Sequence, residues 1–248
     1  MSRQKKQDWQ RAMPNSEFDG YSSNYEDLLR DPIRDRFAGG SQFFHTCKRD
    51  LILDFWRKRN VDLRTLSYLD LGCGKGELLH LLKPSFGRVA GCDPSAGMID
   101  SLAPGPTEID GVDARLQPDP SVVPFDDGSF DFVTAVCVYH HVPVAERARL
   151  TREVKRVLKP GGIFCIVEHN PYNPVTRLIV SRTPIDANAI LLPRRETRSM
   201  LVDAGFSIAW QGFFLFCPEV FYRRMGRTID QGLSRVPLGG QYAVFGQV

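Results

Sequence analysis

No two cysteines form a C-x-x-C pair: Cys47, Cys73, Cys92, Cys137, Cys165 and Cys217 stand singly along the chain. That spacing excludes a zinc ribbon and a disulfide framework. It reads instead as small apolar side chains in a reducing compartment, with no metal set. Nor is there an apolar run near the roughly twenty residues that cross a bilayer. The opening residues Met1–Asp8 are basic but lead into no apolar segment, so no secretory leader is read and a cytoplasmic location is expected. Lysine disappears after Lys159, and the later strong cations are arginines at 177, 182, 194, 195, 198, 223, 224, 227 and 235. A net charge of +3 without a clustered basic face gives no reason to expect nucleic acid as a partner. No internal repeat or change of composition divides the 248 residues, whose hydrophobic 42% and charged 25% are those of a soluble globular domain. The pattern carries no signal of oligomeric state. Residues 1–17 are polar and proline-interrupted and read as a flexible tail, leaving 18–248 as a single domain.

What is present centres on one turn. Tyr68-Leu69-Asp70-Leu71-Gly72-Cys73-Gly74-Lys75-Gly76-Glu77 is an apolar run ending in an acid, three alternating glycines, and the start of a helical pattern. Glycines here let the backbone turn sharply out of a strand and bring its amides close to a ligand at the positive end of the following helix. A dinucleotide fingerprint spaces its glycines G-x-G-x-x-G, and Glu77 occupies the place of its last glycine, where a carboxylate would face phosphate. A nicotinamide oxidoreductase is therefore disfavoured.

The turn resembles motif I of the class I S-adenosylmethionine-dependent methyltransferases, D-x-G-x-G-x-G, small-molecule branch. Further motifs extend the resemblance over Tyr68 to Glu168. Arg88–Asp93 is a second strand ending in an acid about twenty residues beyond the turn, where a carboxylate meets two ribose hydroxyls; Ser95 is available to cap the next helix. Val123-Pro124-Phe125-Asp126-Asp127-Gly128-Ser129-Phe130-Asp131 is similar to the family's P-F-x-D-x-S-F-D, and Leu158-Lys159-Pro160-Gly161-Gly162 to its L-K-P-G-G before a strand. The resemblance implies an α/β fold: a doubly wound, seven-stranded, mostly parallel sheet with an N-terminal helical cap. Residues 18–60 supply the cap, 66–168 the cofactor-binding core, 169–194 a substrate-loop insertion, and 195–248 a helix and closing antiparallel strands. The implied cofactor is S-adenosyl-L-methionine. Its amino-acid end falls to Asp70, its ribose to Asp93, and its adenine to Met98 and to Asp113 with Ala114 at the end of a third strand, 107–115. Tyr25, Gly72, Cys73, Gly74, Gly76, Pro94 and Cys137 complete the implied binding set. Tyr21 and Tyr25, in an F-D-x-Y-x-x-x-Y pattern, either close over the cofactor or pack a short helix.

A nearly continuous strand from Phe132 to Val138 delivers Tyr139-His140-His141 to the ligand-binding edge. Histidine, with an ordinary pKa near 6.5, suits removal of a hydroxyl proton. His140 is the expected general base, with Glu168 behind it and His141 as substitute; strand-end histidines that pack or donate to the cofactor are the other reading. The expected reaction is methyl transfer to a small-molecule acceptor, most simply a hydroxyl or carboxylate oxygen of a metabolite or glycan-linked intermediate. The later arginines suggest an anionic group on it. RNA or protein methylation, or a noncatalytic S-adenosylmethionine-binding protein, are the alternatives. Asn170-Pro171-Tyr172 follows the fifth strand and not the fourth, so it is read as part of a proline-stiffened pocket loop and not as an amino-group methylation motif.

Overall fold

The computed structural model describes residues 17–21, 24–102 and 111–248. Seven strands form one sheet: β1 Ser67–Leu71, β2 Arg88–Asp93, β3 Val112–Leu116, β4 Phe130–Val136, β5 Leu158–His169, β6 Ser207–Phe214 and β7 Gln241–Gln247. Their order is β3-β2-β1-β4-β5-β7-β6, with β1 to β5 parallel and β7 antiparallel to both neighbours. Strand order reverses about β1, so the carboxyl ends of β1, β2 and β4 open a crevice of the kind in which doubly wound sheets bind ligands.

The central strands are apolar on both faces because helices cover both. Period-2 alternation sends Tyr68, Phe132, Cys165 and Phe245 to one core, and Leu69, Val133, Phe164 and Val244 to the other. The first core closes under the helix Ser41–Arg57, whose Ile52, Phe55 and Trp56 are buried against a stack of Tyr68, Phe132 and Phe245. The second closes under Val144–Val157 through Leu150, Val154 and Val157.

Several expected boundaries move. Within the expected cap, 18–60, the long helix begins at Ser41, because Phe43 and Cys47 extend the apolar stripe of Ile52, Phe55 and Trp56 backwards. The third strand, expected over 107–115, is Val112–Leu116, so Asp113 stands near its beginning and Leu116 is the residue opposite Asp93. Residues 169–194 are not simply loop: Asn173 caps the helix Pro174–Val180, accepting from the amides of Val175 and Thr176, and Pro184–Asp186 forms a 3-10 turn. The expected tail at 1–16 and the first residues of the expected third strand, 107–110, lie outside the described residues.

Candidate active site

A cavity of about 870 Å³ runs along the carboxyl edge of the sheet. One half is built by the glycine turn. Gly72 sits at φ +69°, and a Cβ there would lie 2.6 Å from Val138 Cγ2, so the turn out of β1 requires glycine twice over. Gly74 continues it at φ +53°, and Gly76 at φ +78° is the N-cap of the helix Glu77–Leu82, one step back from the cavity. Asp70 is buried beside its sheet partner Thr134, whose hydroxyl donates to Asp70 Oδ1 at 2.5 Å and pairs with the Tyr68 hydroxyl at 2.8 Å. Burial lifts the Asp70 carboxyl to about 7 despite the Thr134 bond and the facing charge of Lys48. Lys48 is itself buried and lines the same wall.

Asp93 accepts from Gly74 N–H on Oδ2 and Ser95 N–H on Oδ1, both at 2.9 Å. Each oxygen keeps a further lone pair toward the cavity that it lines. Burial raises its carboxyl against those two amide bonds. Ser95 caps the next helix through Met98 N–H, and Pro94, Met98 and Cys73 line the cavity beside it. The N-terminal segment is anchored here, since Asp19 accepts from Ser95 Oγ at 2.6 Å. Phe18 and Tyr25 reach the cavity wall, whereas Tyr21 packs edge-on to Phe18. Burial pushes the Tyr25 hydroxyl well up, so it stays neutral.

The other half gathers residues from the connections after β4 and β5 and from the end of β5 itself. β4 ends at Val136; Cys137, a non-glycine residue at φ +58°, follows it, and the chain turns so that Tyr139 N–H donates to Glu168 Oε1 at 2.7 Å. The His140 ring then places Nδ1 2.5 Å from Glu168 Oε2, with both side chains buried. Its other nitrogen, Nε2, makes no hydrogen bond, and lies 3.3 Å from Asp186 Oδ1. His141 Nε2 lies 3.5 Å from the same oxygen, and Phe18 stands edge-on to the His141 ring at 5.0 Å. Asp186 is brought here because Ile190 N–H donates to His140 O, while Arg147 bonds both Ile190 O and Val142 O.

Electrostatics divide the histidines. Burial opposes charge on His140, but Glu168 and Asp186 outweigh it and hold the ring well above the ordinary histidine value. Burial and the charge of His140 bring His141 down to about 4. Burial also pushes the Cys137 thiol up, yet Lys48 and the hydrogen-bonded His169 ring more than offset it and bring the thiol to about 7.

Most expected site residues therefore meet: Tyr25, Asp70, Gly72, Cys73, Gly74, Asp93, Pro94, Met98, Cys137, His140 and His141 line one cavity, with Glu168 directly behind His140. Asp113 and Ala114 are corrected. Asp113 is partly exposed on edge strand β3 and held by Arg115 and Arg88, while the strand end carries Gln117 and Pro118 to the cavity instead. Among the described residues, none of the arginines after Lys159 lines the cavity, which removes the stated reason for an anionic acceptor. Sequence reasoning missed Lys48, Asp186 and His169. His169 was within reach as the neighbour of Glu168, but nothing in the local pattern marks Asp186.

Comparison with known proteins decides the family. A family model described as a methyltransferase domain matches residues 69–166. The uncharacterized methyltransferase sll0829 of Synechocystis sp. is 36% identical over 171 residues, 65% of this chain and 77% of its own length. The chain is a class I S-adenosylmethionine-dependent methyltransferase. The methyltransferase is also 37% identical over 131 residues to the demethylmenaquinone methyltransferase of Lactococcus lactis, and spans about half (51%) of that relative's length. A sterol 24-C-methyltransferase of Gibberella zeae is 32% identical over 54% of this chain and 35% of its own. Among solved structures, a methyltransferase of Thermotoga maritima superposes with TM-score 0.62 at 18% identity, covering 93% of this chain and 97% of the other. A Haloferax volcanii methyltransferase solved with the Trm112 activator gives 0.63 at 23% identity, covering 94% and 98%. These structures share the fold.

The turn suits the family's cofactor. The left-handed Gly72, Gly74 and Gly76 put no side chain of their own between the backbone amides and a ligand, and the buried carboxylates of Asp70 and Asp93 are acceptors of the kind that an ammonium and a diol require.

Proposed function

We propose that this methyltransferase methylates an oxygen of a small, largely apolar acceptor seated against His140, His141 and Asp186. S-adenosylmethionine supplies a methyl group on a positively charged sulfur. Asp70 and Lys48 hold its amino-acid end, Asp93 its ribose, and Pro94, Met98 and Gln117 surround its base. Phe18 and Tyr25 close the cavity against water, which favours displacement over hydrolysis.

The observation that carries the reading is the contrast within the cavity: Val142, Ile179, Val180, Ile185 and Leu215 line its acceptor end, yet a buried polar cluster stands at its floor. An acceptor group placed there is one whose proton must be taken up or displaced. Glu168 fixes the His140 ring so that Nε2 points at that group. The names of the relatives, which act on demethylmenaquinone and a sterol, support a bulky apolar body for the acceptor. Among the described residues the cavity lining sets Arg34, Lys48 and Lys75 against Asp70, Glu77, Asp93, Glu146 and Asp186, which gives it no broad basic surface for RNA.

The test is a panel of apolar alcohols, carboxylic acids, amines and thiols, followed by release of S-adenosylhomocysteine and mass analysis of the product. Oxygen-methylated product is expected. Methylation confined to nitrogen, carbon or sulfur acceptors overturns the reading.

A further inference from the structure

We propose that His140, His141 and Asp186 form a binding site for one divalent transition ion of the zinc or cobalt type, open toward the acceptor. The inference rests on the reading of an oxygen acceptor at this cluster and deepens it, because the ion, and not the imidazole, makes that oxygen shed its proton.

The donor spacing is the first argument. Nε2 of His140 and Nε2 of His141 lie 3.3 and 3.5 Å from Asp186 Oδ1, and the three donor atoms all fall within 4.8 Å of one another. Donors about 2.1 Å from a tetrahedral ion stand about 3.4 Å apart, so the two shorter edges already have the required length.

An independent observation points into the same place. His140 Nε2 is buried on a residue that lines the cavity and has no well-aligned hydrogen bond, its neighbour being Asp186 Oδ1 at 3.3 Å, an arrangement that an ion seated between the two would complete. The ring is placed to suit an ion: Nδ1 lies 2.5 Å from Glu168 Oε2, and a proton held between those two atoms leaves Nε2 available to a metal. A carboxylate on the far nitrogen of a ligating histidine is the usual device that orients the ring and raises its basicity.

The carboxylates of Glu168 and Asp186 both face the His140 ring, and a divalent ion that takes the place of the proton between them leaves their charge compensated. Since all three donors line the cavity, the fourth coordination position faces the acceptor pocket. An acceptor hydroxyl bound there loses its proton to water at a lower pH than in solution. Two histidines and one carboxylate favour a transition ion over magnesium or calcium, which prefer all-oxygen shells.

The test uses the full chain stripped with a chelator and titrated with Co²⁺, then with Zn²⁺ as competitor, read by visible absorption and by metal content after gel filtration. One equivalent of Co²⁺ with a nitrogen–oxygen spectrum, displaced by Zn²⁺, is expected. Asp186→Asn and His141→Asn each weaken binding at least about tenfold, and Glu168→Gln about 10–100-fold. S-adenosylhomocysteine affinity stays at the wild-type value in all three and reports that they fold. If Asp186→Asn folds poorly, His141→Asn carries the comparison alone. No stoichiometric ion, undiminished affinity in the ligand variants, or thiolate charge-transfer absorption placing Co²⁺ on Cys137 overturns the site. Ion binding without any oxygen-methylated product sinks the acceptor reading alone; oxygen methylation by protein that holds no ion sinks only the ion.

Discussion

From Tyr68 to Asp93 the cavity wall is one continuous strand–turn–helix–strand unit, whereas the facing wall takes His140 from the connection after β4 and Asp186 from the connection after β5, with Glu168 of β5 behind them. The first wall is organised by backbone: amides of Gly74 and Ser95 fix Asp93, and the register of β1 against β4 puts Thr134 beside Asp70. The second is organised by side chains, with Glu168 holding both the Tyr139 amide and the His140 ring. The difference teaches which wall tolerates variation. A backbone cradle reads a constant cofactor, while a side-chain cluster can be re-formed around a different acceptor.

The largest effect is expected where the acceptor wall is most interdependent. Glu168→Gln keeps the shape but removes the charge that orients His140, and turnover should fall at least about a hundredfold with S-adenosylhomocysteine affinity unchanged. Equal loss in both measurements would break the separation of the two walls. Next in size is a pH effect on the cofactor wall. Burial lifts Asp70 to about 7, so its proton is held below that value and its contribution to ligand-free stability fades as pH rises through it. An ammonium partner favours the ionised form, so cofactor affinity measured by calorimetry should climb from pH 6 to pH 8, by up to about tenfold per unit below the pKa. Asp70→Asn should flatten that slope.

Lys48 offers a finer test, because its charge faces Asp70 and Glu77 from the cap helix. Lys48→Met should weaken the cofactor about tenfold through its carboxylate, with affinity for a decarboxylated analogue unchanged. The smallest effect is expected at Asp113. It pairs with Arg115 and Arg88 away from the cavity, so Asp113→Ala should leave cofactor affinity within about twofold.

Legibility followed the same division. Asp70, the glycines and Asp93 stand in a fixed short spacing because one turn joins them, and the strand end carrying His140 and the L-K-P-G-G stop before β5 are local signals too. Asp113 was misread because it looks like a strand-end acid, and only pairing with β2 shows that it sits opposite Ala90 while Leu116 stands opposite Asp93. Lys48 was hidden because a lysine on an amphipathic helix reads as solvated, and its burial depends on where that helix docks. Asp186 reaches His140 only through the Ile190 and Arg147 bonds that fold the insertion back, and such tertiary closure leaves no periodic trace.

The central claim is that the cofactor is held by the β1–β2 wall independently of the acceptor cluster. Calorimetric titration of S-adenosylhomocysteine into wild type, Asp93→Ala and Glu168→Gln tests it in one experiment. The account expects Asp93→Ala to lose about thirtyfold in affinity, some 2 kcal/mol for its charged hydrogen bonds, and Glu168→Gln to match wild type. Wild-type affinity in Asp93→Ala, or a comparable loss in Glu168→Gln, contradicts it.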